Sequence, residues 1–578
     1  MMRIVIILTA LLVLAPFLFR GEALAGEVVI LYTGQTHAML YPCSCPKESD
    51  GGIARRVGLI RQLKKKYPNA LLLDAGEFFA GGVMDEYSQN AELDKRRSLL
   101  NLAAMGLAGY DAVAISADEF NFGGDFLRKN IASTKINFLS SNLAMEGFRP
   151  YLIKDVGSIK VGITAVTSLA AAQKAGALAI AEPKKAVAEA VAALKNSGAD
   201  IIVLMSGLGA DADKDLLKSV SGIDIVISGG LSGKEEVSSK IGDTLYFQPS
   251  WQGRKLSKLV LSVENKSVIK SAVEEIRLSD KVPDDQGTLA ILPRCFSDAN
   301  CKKDAQVGTC LEPGQKSAQC SFKAANKISL TVITARDCRV CDTAVMTGLF
   351  KRDFPGLAVN YMYYPEAKAK NMLKDFSITA LPAYLFGKEI EKENKFDVLK
   401  NFLIAKGAYY IVKKEFSGFS YLPEKKKIPG RLDLFISLFD KNTPAILETV
   451  KDFSPGIHFL AAAQGLGFTA PAGNLEVEEH LRAVCVRSLY PERFWDYITC
   501  RAGNPHTSWW EDCASGMDTD AVSSCARSDK AKALLTADTA LNRELSVMNG
   551  PTYLIDNQEI FTTNGLLKKD ALKKLMKR

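Results

Sequence analysis

Between residues 27 and 228 the chain repeats one pattern: a short apolar run, rich in β-branched residues, that stops at a polar or glycine-rich turn. Residues 27–32 lead to Thr33-Gly34-Gln35-Thr36-His37, and residues 70–73 lead to Asp74-Ala75-Gly76-Glu77. Residues 112–115 run into Ser116-Ala117-Asp118-Glu119-Phe120-Asn121-Phe122-Gly123. Residues 201–205 reach Ser206-Gly207-Leu208-Gly209, and residues 223–227 reach Ser228-Gly229-Gly230-Leu231-Ser232. Continuous apolar runs of this length read as strands buried on both faces, and helical stretches such as the basic segment 53–67 alternate with them. The pattern predicts an α/β layered domain whose polar groups gather at the strand C-termini, where sites of such folds sit.

The order and spacing of those strand ends resemble the 5'-nucleotidase branch of the calcineurin-like metallophosphoesterases. The resemblance covers residues 27–285, including the closing strand 257–263. It implies a four-layer α/β domain that holds two metal ions. Most of the family's ligand set is replaced here. His37 is kept, but Gln35 stands at the first Asp and Glu77 at the bridging Asp. Ala117 replaces the ligand Asn, Asp118 the catalytic His, and Asn121 the carboxylate that orients it. Gly207, Gly230 and Ser232 replace the remaining His ligands. Gly and Ala supply no ligand atoms, and a two-ion centre needs both ions fixed by carboxylates and imidazoles. The expectation is a preserved fold with a lost hydrolase site, a pseudoenzyme domain in which His37, Glu77 and Asp118 are vestigial and no metal or other cofactor is held. The alternative is a metal-dependent phosphohydrolase with an altered site near His37, Glu77, Asp118 and Glu119.

A different chemistry is suggested further on. Residues 328–333 form an apolar run ahead of Cys338-Arg339-Val340-Cys341, with a helical segment from about residue 343. A strand that delivers a Cys to a helix N-terminus lowers the thiol pKa through the helix dipole, and Arg339 adds charge of the same sign. Cys338 is the expected attacking thiolate and Cys341 the resolving thiol. Half a zinc site reads the same way, but no second pair lies at zinc-ribbon spacing. Together with the strand 357–364, the helix 367–376 and Pro382 leading an apolar strand, the order resembles the thioredoxin family. That resemblance implies a cis Pro382 beside the cysteines. The pattern restarts at residues 432–438, with Phe439-Asp440-Lys441-Asn442 in place of the cysteines and Pro551 ahead of the last strand. A helical insert, about residues 477–543, resembles exported disulfide-forming oxidoreductases.

Residues 1–25 carry Arg3, an apolar run of about 16 residues and a small-x-small site, which together read as a cleaved signal peptide; a span needs about 20. The expectation is a periplasmic or otherwise extracytoplasmic protein with no membrane span after cleavage. Export suits the 12 cysteines, which fall into even groups. Cys43 and Cys45 lie just after His37 and read as a second redox pair, a static loop disulfide or a soft-metal site. Cys295, Cys301, Cys310 and Cys320 lie in a stretch with little apolar material; irregular spacing and the absence of His favour two disulfides, in one of three connectivities, over a zinc site. Cys485, Cys500, Cys513 and Cys525 read as two structural disulfides in the insert. The net charge of +8 is spread along the chain, which argues against nucleic acid as a partner. His480 and His506 read as structural, and the pair Trp509–Trp510 as core or as an exposed partner patch.

The expected domains are 26–285, phosphoesterase-like; 286–325, a Cys-rich linker; 326–426, thioredoxin-like; and 427–578, a second thioredoxin-like unit. The leading functional expectation is exported thiol-disulfide exchange by Cys338 and Cys341 with Pro382 at the groove. Its partners would be protein thiol or disulfide clients, or a membrane redox protein. A non-catalytic scaffold is the third reading.

Overall fold

The computed structural model describes residues 26–43, 49–176, 178–230, 237–465, 467–563 and 565–577. The expected signal peptide, Cys45 and Ser232 lie outside the described residues. The chain divides into two compact units, the first ending near Lys323 and the second running from Ala324 to the C-terminus, with a three-residue exchange at 304–306.

The first unit contains two large sheets. The first sheet orders its strands Ser267–Arg277, Lys255–Glu264, Gly26–Thr33, Leu71–Asp74, Ala112–Ala114, Phe138–Leu139 and Phe148–Arg149. The second runs Val237–Ile241, Thr244–Gln248, Ile225–Ser228, Ile201–Ser206, Ile159–Val166 and Tyr151–Val156. Side chains alternate across each strand. Val28, Ile30 and Tyr32 therefore meet Ile163, Met205 and Ile227 of the other sheet, while Val29 and Leu31 face the outer helix Ile53–Lys66 through Ile53, Val57 and Ile60. Ile202, Leu204 and Val226 pack on Val187, Val191 and Leu194 of the helix Pro183–Asn196. The result is helix, sheet, sheet, helix, the four layers expected. Parallel pairing of Gly26–Thr33 with Leu71–Asp74, and of that strand with Ala112–Ala114, brings their three C-terminal turns side by side.

The stretch expected as a Cys-rich linker opens with a helix. Asp285 caps the helix Gln286–Ile291 by accepting from the Thr288 amide at 2.8 Å, and its carboxylate pairs with Arg61. Beyond it a three-stranded sheet is held by disulfides Cys295–Cys310 and Cys301–Cys320. This selects one of the three connectivities open to the sequence.

The second unit repeats one topology. In the first half, Ile328–Ala335 pairs parallel with Leu357–Tyr364 and antiparallel with Ala383–Gly387, which continues antiparallel to Tyr409–Val412. In the second half, Leu432–Ile436 pairs parallel with Gly456–Phe459 and antiparallel with Thr552–Ile555, which continues antiparallel to Glu559–Thr562. A cis proline precedes each antiparallel partner, Pro382 in one half and Pro551 in the other. The insert forms the helices Asn474–Leu489, Phe494–Gly503, Thr519–Ala526 and Asp529–Glu544, tied by Cys485–Cys525 and Cys500–Cys513. Trp510 and His480 are buried there, while Trp509 is 72 % exposed. No helix among the described residues is long and apolar enough to cross a membrane.

Candidate metal centre

Three strand-end turns of the first sheet converge. His37 follows the strand Gly26–Thr33, Glu77 follows Leu71–Asp74, and Asp118 follows Ala112–Ala114. One ligand atom from each lies within 4.8 Å of the other two, and all three side chains are buried. Asp118 Oδ2 sits 3.2 Å from His37 Nδ1, which leaves His37 Nε2 buried with no hydrogen-bond partner among the described residues. Asp118 Oδ1 accepts from Lys174 Nζ at 3.1 Å, and the same ammonium donates to Asn121 Oδ1 at 2.6 Å. The Glu77 carboxylate accepts the backbone amides of Ala117 and Asp118 at 3.3 and 3.0 Å.

The backbone around these residues is strained. Gln35, His37, Ala38 and Glu77 all have positive φ, between 43° and 60°, a region that costs a non-glycine residue energy and clusters at functional sites. Hydrogen bonds hold the strain in place: Gln35 N to Gly76 O, His37 N to Glu77 O and Ala38 N to Phe78 O, at 2.8 to 3.0 Å. Glu119 stitches the second and third turns by accepting the amides of Ser116 and Phe78, each at 2.7 Å. Burial pushes the Glu119 carboxyl up to about 7 against those donors. Burial also raises Glu77 well above the carboxylate range, helped by the negative charges of Asp118 and Glu119. Asp118 is held below its usual range: burial opposes this, and His37 and Lys174 outweigh it.

One imidazole and two carboxylates fit a single divalent ion of intermediate hardness, with coordination positions left open. They do not fit two ions. The structure brings together the three residues of the vestigial reading, which are also three of the four named in the altered-site alternative.

The other candidate pair is differently placed. Cys338 and Cys341 form a disulfide, but the following helix begins only at Ala344, with Asp342 Oδ1 accepting the Ala344 amide at 2.8 Å. Cys338 lies more than a turn ahead of that helix, where the dipole has faded. Arg339 does not serve the sulfurs either. Its guanidinium bonds Glu559 Oε1 at 2.7 Å and Asp556 Oδ2 at 3.1 Å and reaches the Leu575 carbonyl, and its amide donates to Glu559 Oε2 at 2.9 Å. Cys338 is half-buried against the cluster containing Leu381 and Ala383. Cys43 is buried after the His37 turn.

No family model matches the chain. It is similar to curated 5'-nucleotidases over a limited stretch. The snake venom 5'-nucleotidase of Naja atra is 34 % identical over 158 residues, 25 % of this chain and 28 % of that protein. The 5'-nucleotidase of Rattus norvegicus is 31 % identical over 178 residues, 28 % of this chain and 29 % of its own length. The chain thus spans less than a third of the length of these relatives. Among solved structures, the 5'-nucleotidase precursor from Thermus thermophilus covers 46 % of this chain and 57 % of its own, at 23 % identity and a TM-score of 0.40. A calcineurin-like phosphoesterase from Bacillus subtilis covers 46 % of this chain and 95 % of its own, at 22 % identity and a TM-score of 0.38. These findings correct two expectations, thiol-disulfide exchange as the leading function and phosphohydrolase activity as the improbable one. The phosphohydrolase alternative fits the named relatives better, and both supports for a reactive Cys338 thiolate, the helix start and the Arg339 charge, are missing from the structure. Over about a quarter of its length, then, the chain is homologous to curated 5'-nucleotidases.

Proposed function

We propose that the first unit is a phosphomonoester-directed hydrolase site of the 5'-nucleotidase kind, rebuilt around one divalent ion. The observation that carries this reading is the convergence of His37, Glu77 and Asp118 within 4.8 Å, with His37 Nε2 left open. A ring nitrogen of His37 and the Glu77 and Asp118 carboxylates would hold the ion. When bound, such an ion polarises a phosphoryl oxygen and lowers the pKa of a coordinated water. The chain's own groups do the rest. Lys174 fixes the Asp118 carboxylate from one side and His37 from the other. Glu119 keeps the turns carrying Glu77 and Asp118 in register, and burial of the whole cluster keeps bulk water out.

The test is phosphate release from nucleoside 5'-monophosphates and p-nitrophenyl phosphate by the full chain with Mn2+ or Zn2+ added. Metal-dependent release that Glu77→Gln and Asp118→Asn each lower at least about 100-fold supports the proposal, a loss in the range of one transition-state contact. Release that is absent, or indifferent to both substitutions, counts against it.

For the second unit the repeated topology, each half with a cis proline ahead of its antiparallel strand, supports a reading as two thioredoxin-like modules. Five disulfides among the described residues support residence in an oxidising, extracytoplasmic compartment.

A further inference from the structure

One edge of the second unit exposes apolar side chains that its packing does not use. The five-stranded sheet ends in the hairpin of Tyr409–Val412 and Leu403–Lys406, with Leu403–Lys406 outermost. Leu403 is buried in the core, so its neighbours Phe402 and Ile404 face outward, as alternation along a strand requires. Val398 stands one helical turn before Phe402, and the Phe416 ring meets the Phe402 ring edge to face, with centroids 4.9 Å apart. These four side chains are between 40 and 68 % exposed. Apolar groups gathered at a sheet edge invite association unless something covers them.

The surrounding charge indicates the cover. Residues 395–416 hold five lysines against two acids, Asp397 and Glu415. Lys400 pairs with Asp397 at 2.6 Å, and Lys395 with Asp353 at 2.9 Å. Lys406 Nζ instead donates to the Phe376 carbonyl at 2.8 Å and the Ser377 hydroxyl at 3.1 Å, and Lys413 Nζ to the Asn401 carbonyl at 2.6 Å. Lys414 Nζ donates to the Glu544 carbonyl at 3.1 Å, while the Glu544 carboxylate is paired with Lys425 at 2.6 Å. Three ammonium groups beside the apolar cluster are thus bonded to neutral oxygens, and the edge keeps an excess of positive charge. A polyanion would use the lysines alone. A bilayer containing anionic lipid uses both features: phenylalanine and branched side chains enter the acyl boundary, and ammonium groups meet the phosphates. Lysine stems lie along apolar surface while their charges stay at the headgroups. We propose that the hairpin 403–412, with Val398, Phe402 and Phe416, docks the second unit on an anionic lipid surface, lying on the bilayer without crossing it. This inference is independent of the hydrolase reading of the first unit.

The experiment is co-sedimentation of the full chain with vesicles of phosphatidylcholine alone and of equimolar phosphatidylcholine and phosphatidylglycerol, at low and high salt. The variants are the pairs Phe402→Ser with Phe416→Ser, Val398→Ser with Ile404→Ser, and Lys406→Gln with Lys413→Gln. The wild type should bind the anionic vesicles, more weakly as salt rises, and each pair should lower the partition coefficient at least about tenfold. Should the phenylalanine pair fail to fold, the Val398 and Ile404 pair and the two lipid compositions still decide. No binding to anionic vesicles, or equal binding to both compositions, overturns the proposal. Binding that only the lysine pair weakens also overturns it, because it marks a surface for a polyanion.

Discussion

At the scale of single residues, Gly82 makes the sharpest prediction about the site. A Cβ there would overlap the Asp118 carboxylate, so only glycine lets the turn after Glu77 close over it. Gly82→Ala should push Asp118 off His37 and weaken Mn2+ binding at least about tenfold, measured by titration, with far-ultraviolet dichroism unchanged; 1.4 kcal/mol, a small steric cost, suffices for that factor. A second residue-scale prediction concerns pH. Burial alone would depress His458, but Asp433 Oδ1 at 3.1 Å from its Nε2 and Asp538 Oδ1 at 3.2 Å from its Nδ1 outweigh it and raise its pKa, with Arg431 and Arg487 bonded to the same two carboxylates. Because the folded value lies above the unfolded value of about 6.5, the stabilisation is complete below about pH 6.5 and is lost as pH rises through the folded value. Thermal melts of the second unit should therefore fall in midpoint with rising pH, and His458→Gln should flatten that fall.

At the scale of elements, Arg339 joins the two halves of the second unit. Asp556 and Glu559 sit at the hairpin between the last two strands and are nearly fully buried, so removing the guanidinium leaves Glu559 with the residue 339 amide alone and Asp556 with the Gly430 amide and Lys427 at 3.9 Å. Arg339→Ala should cost about 2 kcal/mol in denaturant unfolding of this unit, a figure reduced from the range for fully buried pairs because Arg339 is partly exposed. Glu559→Gln should cost less. The contact also shows where sequence reading stopped. The strands, the helix Ala367–Phe376 and the apolar residues on both faces of the first sheet of this unit follow from periodicity and are legible in one dimension. The partner of Arg339 lies 217 to 220 residues away, and nothing local in Cys338-Arg339-Val340-Cys341 announces it. The helix start was legible to within a residue, at Ala344 with Asp342 accepting the Ala344 amide; what was overestimated is how close that start lies to Cys338. In the first unit the strand ends were legible as apolar runs ending in Gly, Asp and Ser. The grouping of His37, Glu77 and Asp118 was legible only as the alternative reading, because the 3.2 Å contact of Asp118 with His37 joins residues 81 positions apart and no local pattern shows it.

At the scale of the whole molecule, the account places the ion and phosphate chemistry in the first unit alone. Addition of Mn2+ should slow backbone hydrogen exchange in the turns at residues 33–42, 74–82 and 115–121, and leave residues 328–563 unchanged. Ligand binding at 100 times Kd stabilises the state that binds it by about 2.7 kcal/mol, ample for detection in those segments. The most direct test of the central claim is an anomalous difference map from a crystal of the full chain soaked in Mn2+. The account predicts one peak, within coordinating reach of His37, Glu77 and Asp118, that disappears in Asp118→Asn. No peak at that position, or a pair of peaks there, would contradict it.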